Sequence, residues 1–178
     1  MSICTVCQSI RKWDLWKIFY TVNLHLRKMG NKNHNRIRVI ITDDHIVYRA
    51  GIKVSLAYNK RIQVIGEAGD GSALLSLLET NEPDVILLDI QMPVRDGIST
   101  LPELKKLYPH IKVIMLSMID DQSMITKLME LGANSYLTKT SDPETIYSAI
   151  ETCHEHNYFH SAMTARSLHD PSQNAPLN

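Results

Sequence analysis

Residues 85–97 have the sequence VILLDIQMPVRDG. Four aliphatic residues lead directly into Asp89, and a proline and a glycine follow within the same stretch. An uninterrupted aliphatic run of this kind is typical of a buried strand in a parallel sheet. The stretch therefore predicts a central strand that carries a carboxylate to the edge of the sheet, followed by a tight turn at Pro93 and Gly97.

An alternation of strand and helix patterns extends on both sides of this stretch. Aliphatic and β-branched runs predict five strands, and apolar residues at helical spacing predict a helix after each of them. The predicted strands are 36–42, 61–67, 84–88, 111–117 and 134–138, and the predicted helices are 46–58, 71–78, 98–108, 120–131 and 143–154. Asp70 and Asp142 are predicted N-caps, and Pro102 is expected only in the first turn of its helix. Alternation with short connections favours an α/β fold, a doubly wound parallel sheet with helices on both faces.

The composition excludes several classes of protein. Hydrophobic residues make up 44% of the 178 residues, charged residues make up 21%, and the formal net charge is zero. These values are typical of a globular protein and give no sign of a nucleic-acid or membrane partner. The chain has no apolar run long enough to span a bilayer. Three cysteines, Cys4, Cys7 and Cys153, are too few and too scattered for a disulfide framework, so we expect a cytoplasmic protein.

Polar side chains follow four of the five predicted strands. Asp43 and Asp44 follow the first strand, Asp89 ends the third, Ser117 ends the fourth, and Lys139 follows the fifth. Because the carboxyl ends of parallel strands meet at one edge of the sheet, we expect these side chains to lie together. Each has a simpler explanation when taken alone, since an aspartate after a strand is often a helix N-cap and a lysine there is usually solvated. The conjunction of all five favours a functional site.

Three carboxylates at one edge repel one another unless a cation neutralises them. A small set of oxygen ligands that leaves room for water suits Mg²⁺. The sequence therefore predicts a Mg²⁺ site at this edge, with Lys139 supplying a further positive charge.

These residues carry a resemblance to a known family. The segments IITDDHIVYRAGI, EAGDGSALLSLLE, PDVILLDIQMPVRDGIST, KVIMLS and GANSYLTKT occur in that order between Ile37 and Cys153. They resemble the receiver domain of bacterial two-component response regulators, in the subfamily usually linked to a LuxR-type helix-turn-helix. The resemblance implies a flavodoxin-like (βα)5 fold with strand order 2-1-3-4-5.

The resemblance also implies a role for each strand-end residue. Asp89 would accept a phosphoryl group from a sensor histidine kinase or a phosphotransfer protein, and Lys139 and Ser117 would contact that group. Mg²⁺ would be held by Asp44, Asp89 and the main-chain carbonyl of Gln91, with Asp43 acting through water. Tyr136 would be the switch aromatic; taken alone, it is more simply a half-buried ring with its hydroxyl in water. The residue after the lysine is commonly proline in this family and is Thr140 here, so the isomer of the 139–140 peptide is left open.

Two competing enzyme classes use a similar strand-end aspartate. A Walker-type NTPase needs a phosphate loop that ends in Gly-Lys-Ser/Thr, and GEAGDGS at 66–72 lacks the lysine. Phosphatases of the haloacid dehalogenase type use a second aspartate two positions after the nucleophile as a general acid, and that position is Gln91. We therefore expect no turnover enzyme, but a phosphoaspartate that is stored and slowly lost to water.

The two ends of the chain lie outside the resemblance. Residues 1–35 carry six Lys or Arg against one acid. We interpret them as an extension without regular structure, with Met29 as an alternative start and a basic amphipathic helix as the competing hypothesis. Residues 36–154 are predicted to be the receiver, and 155–178 a linker or tail. The chain contains no helix-turn-helix, so we expect no specific DNA binding by this chain alone.

Two outputs are compatible with these features. The first is a phosphorylation switch that controls transcription. The second is a stand-alone receiver that acts as a phosphorelay intermediate or a protein-binding switch. In either role a homodimer is conceivable from the sequence, and a kinase or phosphotransfer protein is the expected partner.

Overall fold

The sheet of the protein is fully parallel. A computed structural model describes residues 36–119 and 121–159. The strands are β1 (Ile37–Thr42), β2 (Ile62–Ala68), β3 (Val85–Asp89), β4 (Lys112–Ser117) and β5 (Ser135–Thr138). Their order across the sheet is β2-β1-β3-β4-β5, and every neighbouring pair is parallel. The predicted doubly wound fold and strand order are confirmed.

A helix follows each strand. The helices are α1 (Ile46–Ala57), α2 (Gly71–Leu78), α3 (Gly97–Leu107), α4 (Gln122–Glu130) and α5 (Pro143–His156). Asp70 caps α2 by accepting from the amides of Ser72 and Ala73, and Asp142 caps α5 by accepting from Thr145. Side-chain caps of this kind satisfy amide groups that have no partner within the helix. Both predicted N-caps are therefore confirmed.

The position of Pro102 differs from the prediction. Helix α3 begins at Gly97, so Pro102 lies in its second turn. A proline there has no N–H to donate to the carbonyl of Ile98, and it costs the helix one hydrogen bond. Asp96 caps the helix by accepting from the amide of Ser99, and Leu101 and Leu104 are buried. The cap and the buried face thus hold α3 together across the proline.

The core lies on both faces of the sheet, because successive strand residues point to opposite sides. On one face, strand residues such as Val39, Leu87 and Leu116 form a cluster with the buried sides of α1 and α5. The intervening strand residues, including Ile40 and Ile86, are also fully buried. Central strands covered on both faces explain the uninterrupted aliphatic run that ends in Asp89.

The end of α5 is tied to the sheet by Asn134, just before β5. Its side-chain oxygen accepts from Lys105 Nζ (2.7 Å) and from the amide of Val113 (2.9 Å), and its side-chain nitrogen donates to the carbonyl of Asn157. Phe159 packs against the core and donates its amide to the carbonyl of Asn134. The chain is thus held in place as far as residue 159.

Some expectations fall outside what the structure describes. The proposals for residues 1–35 and for the tail beyond residue 159 lie outside the described ranges. Within those ranges there are no cis peptides, so the 139–140 bond is trans. None of the helices found there combines the length and hydropathy of a bilayer-spanning segment.

Candidate functional site

The centre of the site is a buried lysine held between two buried aspartates. Nζ of Lys139 lies 2.8 Å from Oδ2 of Asp43 and 2.8 Å from Oδ2 of Asp89. The three side chains are only 5%, 0% and 3% exposed. The structure thus brings together the ends of β1, β3 and β5, as the sequence predicted.

Asp44 adds a third carboxylate to those of Asp43 and Asp89, and it lies on the more exposed side of the site. The carboxylates of Asp43, Asp44 and Asp89 and the imidazole of His45 each offer a ligand atom, and these atoms lie within 4.8 Å of one another. Nδ1 of His45 is 2.8 Å from Oδ1 of Asp44, and its backbone amide donates to Oδ1 of Asp43. His45 was not predicted to belong to the site, although its position directly after the two acids was a signal for it.

Main-chain hydrogen bonds fix the position of each functional strand end. Parallel strands continue their hydrogen-bond ladder up to the point where the chain leaves the sheet. The last bonds run from Asp43 N–H to Ala68 O (3.1 Å), from Ile90 N–H to Leu116 O (3.0 Å), and from Lys139 N–H to Ser117 O (2.7 Å). The site is therefore built on the sheet itself and not on its loops.

The charged residues of the site shift one another's pKa values. Burial raises the pKa of Asp89, and the nearby charge of Asp43 adds to this, while Lys139 partly offsets both. Burial also acts to lower the pKa of Lys139, but its bonds to Asp43 and Asp89 outweigh burial, and the net pKa is raised. A single ammonium thus serves two buried carboxylates and leaves excess negative charge in the site.

This excess charge makes the residues suitable for a divalent cation. Asp43, Asp44 and Asp89 supply carboxylate oxygens, which are the ligands that Mg²⁺ prefers. A cation would also lower the cost of keeping Asp89 ionised in its buried position. The donor set therefore fits the predicted Mg²⁺.

The loop after β3 approaches the main chain of Asp89 closely. A side chain at residue 97 would collide with the main-chain carbonyl of Asp89, so only glycine fits there. The amide of Gly97 donates to the carbonyl of Ile90 at 2.9 Å, which closes the loop. The amide of Gln91 makes only a long contact, 3.4 Å, with Oδ1 of Asp89.

Within this loop, Val94 has a strained backbone. Its φ is 63°, and Arg95 N–H donates to the carbonyl of Pro93 at 2.6 Å across it, which defines a γ-turn. Positive φ is a marked outlier for a β-branched residue. The side chain is 88% exposed, so no packing of the side chain offsets the strain.

We expect Val94→Gly to raise the free energy of unfolding by about 1 kcal/mol, because glycine adopts positive φ without a steric penalty. Val94→Asn should give a similar gain, since asparagine tolerates this region and adds less freedom to the unfolded chain than glycine does. Urea unfolding of the three proteins measures the difference. A loss of stability in both variants would contradict the strain assignment.

Ser117 and Tyr136 are linked through one residue. The hydroxyl of Ser117 accepts from the amide of Ile119 at 3.0 Å, and the hydroxyl of Tyr136 donates to the carbonyl of Ile119. Tyr136 is fully buried, so its interpretation as a half-buried ring with its hydroxyl in water is wrong. Ser117 ends the strand next to Asp89, but its hydroxyl is bonded to Ile119.

Tyr48 is a neighbour of the site that was not predicted from the sequence. Its ring centroid is 5.1 Å from Nζ of Lys139. Tyr48 is on α1, four residues after Asp44, and this spacing places two side chains on the same side of a helix. The spacing was the available signal, but a tyrosine in an amphipathic pattern is more simply explained as core.

Comparison of the chain with known proteins identifies its family. The family model described as the response regulator receiver domain matches residues 39–151. The chain belongs to this family. The resemblance inferred from the sequence, including its LuxR-type branch, is confirmed.

The receiver has relatives among curated transcriptional regulators. It is 36% identical over 133 residues to the transcriptional regulatory protein DegU of Brevibacillus brevis, covering 74% of this chain and 56% of DegU. It is 32% identical over 125 residues to a probable transcriptional regulatory protein NarL of Mycobacterium tuberculosis, covering 70% of this chain and 58% of NarL. The chain thus spans little more than half the length of these relatives.

Solved receiver domains have the same fold. The receiver of the M. tuberculosis NarL is 31% identical with a TM-score of 0.65, covering 68% of this chain and 98% of that one. The isolated receiver of RcsB from Salmonella enterica serovar Typhimurium, solved with the phosphomimetic BeF3⁻, is 26% identical with a TM-score of 0.69. That match covers 75% of this chain and 99% of the RcsB receiver.

Proposed function

We propose that this receiver accepts a phosphoryl group on Asp89 from a histidine kinase or a phosphotransfer protein, and that it then changes conformation to control an output, most simply transcription. The observation that carries the proposal is the buried triad in which Lys139 lies 2.8 Å from both Asp43 and Asp89. The RcsB receiver solved with a phosphomimetic supports it by similarity of fold.

Asp89 would act as the nucleophile. One of its carboxylate oxygens forms the new P–O bond while the P–N bond of the donor's phosphohistidine breaks, and the departing imidazole takes up a proton. Such transfers need positioning and charge neutralisation more than covalent assistance. Lys139 already lies against the attacking carboxylate, so its ammonium can move to the oxygens of the incoming group.

In this proposal Mg²⁺ is held by Asp44, Asp89 and the main-chain carbonyl of Gln91, with Asp43 assisting through water. When bound, the cation supplies positive charge to the phosphoryl oxygens. Asp43 also keeps Lys139 in place through its 2.8 Å ion pair. The fit of the acidic cluster to a hard divalent cation supports this choice of metal.

The conformational change would involve Ile119, whose main chain is hydrogen-bonded to the side chains of both Ser117 and Tyr136. We expect that a Ser117 hydroxyl drawn towards a phosphoryl group on Asp89 stretches or breaks the bond that it accepts from the Ile119 amide, so that Ile119 moves. Movement of Ile119 then changes the carbonyl that anchors the Tyr136 hydroxyl. Ile119 is 56% exposed, so this movement would alter the surface beside α4.

A phosphodonor protein would dock on α1. Val47, Gly51 and Val54 are spaced as one face of this helix, Tyr58 continues that face at the C-cap, and all four are exposed. The three large side chains are 86%, 60% and 82% exposed, which leaves an apolar stripe beginning beside the acidic site. Exposed apolar stripes of this kind mark protein interaction sites, and a helix of a kinase or phosphotransfer protein fits one.

We expect the double variant Val47→Glu and Val54→Glu to slow transfer from a phosphorylated kinase that labels the wild-type receiver, by about tenfold or more, because two apolar contacts are replaced by charges. Labelling by acetyl phosphate should be unchanged, since a small donor needs no docking surface. Intact mass against time measures both rates. Equal losses with both donors would contradict a docking role.

We further propose a stored phosphoaspartate without turnover catalysis, since Gln91 offers no general acid, and a cytoplasmic location. A homodimer stays a prediction. The proposed function is tested by incubating the chain with acetyl phosphate and Mg²⁺ and measuring its intact mass. One added phosphoryl group, dependent on Mg²⁺, is expected. No added mass with either acetyl phosphate or phosphoramidate would sink the proposal.

A further inference from the structure

Lys139 has an unusual environment for a nearly buried ammonium. An ammonium has three N–H donors. Nζ of Lys139 donates one of them to Oδ2 of Asp89, and it forms an ion pair with Oδ2 of Asp43 at 2.8 Å. The side chain is only 5% exposed, so little water can reach the rest of the ammonium. Loss of hydration is costly for an ammonium. The two carboxylates outweigh that cost, and atoms packed on the remaining side of Nζ can add to the compensation.

The ring of Tyr48 lies where that missing hydration would be. Nζ of Lys139 is 5.1 Å from the ring centroid, within the distance at which a cation is attracted to an aromatic face. The ring also packs against the hydrophobic cluster shared by α1 and α5, which fixes its position. The attraction is stronger where water is excluded, as it is here.

The hydroxyl of Tyr48 contributes little to this arrangement. It is buried, and among the described residues it has no hydrogen-bond partner. Burial, together with the charges of Asp43 and Asp89, raises the pKa of Tyr48 to about 12. The phenol is therefore neutral at physiological pH, and the face of the ring is the part that interacts with the ammonium.

We propose that Tyr48 is a positioning residue, whose ring holds the Lys139 ammonium between Asp43 and Asp89 so that it is in place when a phosphoryl group arrives. The functional part rests on the proposed phosphorylation of Asp89. The geometric part does not, because the lysine lies on the ring before any phosphoryl group is present. Phenylalanine at this position should serve as well as tyrosine, and an aliphatic residue should not.

The test compares Tyr48→Phe, Tyr48→Leu and Tyr48→Met with the wild type. In proteins with ¹³C- and ¹⁵N-labelled lysine, the ring shifts the Lys139 side-chain resonances upfield. We expect this shift to persist in Tyr48→Phe and to disappear in Tyr48→Leu. Labelling by acetyl phosphate should slow about tenfold in Tyr48→Leu, as expected for loss of a desolvated cation–π contact. Tyr48→Met fills the site without a ring, and it gives the same comparison if Tyr48→Leu does not fold.

Tyr147→Leu is the matched control. Tyr147 is also half-buried against the same hydrophobic cluster, but its hydroxyl bonds to Ser55, away from the acids. This variant should lose stability and leave both the lysine resonances and the labelling rate unchanged.

Unshifted resonances in Tyr48→Leu, or an equal loss of rate in Tyr48→Phe, would overturn the proposal. If the wild-type chain takes no phosphoryl group, the proposed function fails, and the resonance shift still decides whether Tyr48 holds the lysine.

Discussion

Asp89→Asn is expected to abolish phosphorylation of the receiver completely, since an amide oxygen has no negative charge with which to attack phosphorus. Acetyl phosphate and Mg²⁺ should add one phosphoryl group to the wild type and none to the variant, by intact mass. The matched control is Asp96→Asn, an acid in the same loop that caps α3. Asparagine is also a good N-cap, so this control should be labelled normally. Labelling of Asp89→Asn at the wild-type rate would place the acceptor elsewhere.

The same variant should remain folded, and it should be at least as stable as the wild type at neutral pH. Burial raises the pKa of Asp89 above the value of an unfolded carboxyl group. The folded chain therefore binds more protons than the unfolded chain between these two values, and stability falls as pH rises through that window. Asparagine removes this penalty. Urea unfolding at several pH values should show that the two proteins have similar free energies of unfolding in acid. Towards neutral pH, the free energy of unfolding of the variant should rise above that of the wild type.

Lys139→Met is expected to lower the free energy of unfolding by about 2–3 kcal/mol in Mg²⁺-free buffer. The substitution leaves Asp43 and Asp89 buried without their shared ammonium, and removing one partner of a buried ion pair is costly. We place the loss just below the usual range of about 3–5 kcal/mol, because the exposed side of the site at Asp44 and His45 lets water reach the unpaired carboxylates. Phosphorylation should slow by about a hundredfold, as for the loss of one charged donor to a transferring group.

A double-mutant cycle separates this effect from a general loss of packing. In an Asp89→Asn background only Asp43 is left unpaired, so Lys139→Met should cost less there by at least about 1 kcal/mol. Lys105→Met is the matched control, because the hydrogen bonds of Lys105 go to neutral oxygens of Ile111 and Asn134 and not to the acids of the site. Its cost should be the same in both backgrounds. An equal cost for Lys139→Met in both backgrounds would show that the lysine does not neutralise Asp89.

The sheet and its charged edge could be predicted because each rests on a local pattern with a clear physical cause. The buried strand before Asp89 appears as an aliphatic run, and α2 and α5 begin at side chains that cap them. Parallel strands then place all carboxyl ends at one edge. Asp43, Asp89 and Lys139 could therefore be predicted from the sequence alone to lie together.

The remaining features depend on tertiary geometry that no local pattern reveals. The positive φ of Val94 arises where the loop must close against Ile90. Valine rarely adopts positive φ, so its presence in the sequence does not predict this conformation. Pro102 lies in the second turn of α3, where the cap at Asp96 and the buried Leu101 and Leu104 hold the helix together despite the missing hydrogen bond. The contact between Tyr48 and Lys139 joins residues far apart in sequence, and an aromatic residue at a helical spacing is usually core.

The main-chain bonds at the strand ends have a consequence for how this site fluctuates. The amides of Asp43, Ile90 and Lys139 are themselves the last donors of the ladders between neighbouring strands. Each of these amides can exchange its hydrogen with solvent only when its bond to the neighbouring strand opens, which fraying at the strand end allows. Their protection should therefore lie below that of the central sheet and exceed that of the surrounding loops. The backbone that carries Asp43, Asp89 and Lys139 thus opens less readily than the loops, so most motion at this edge is left to the loops and to the side chains of Ser117 and Ile119.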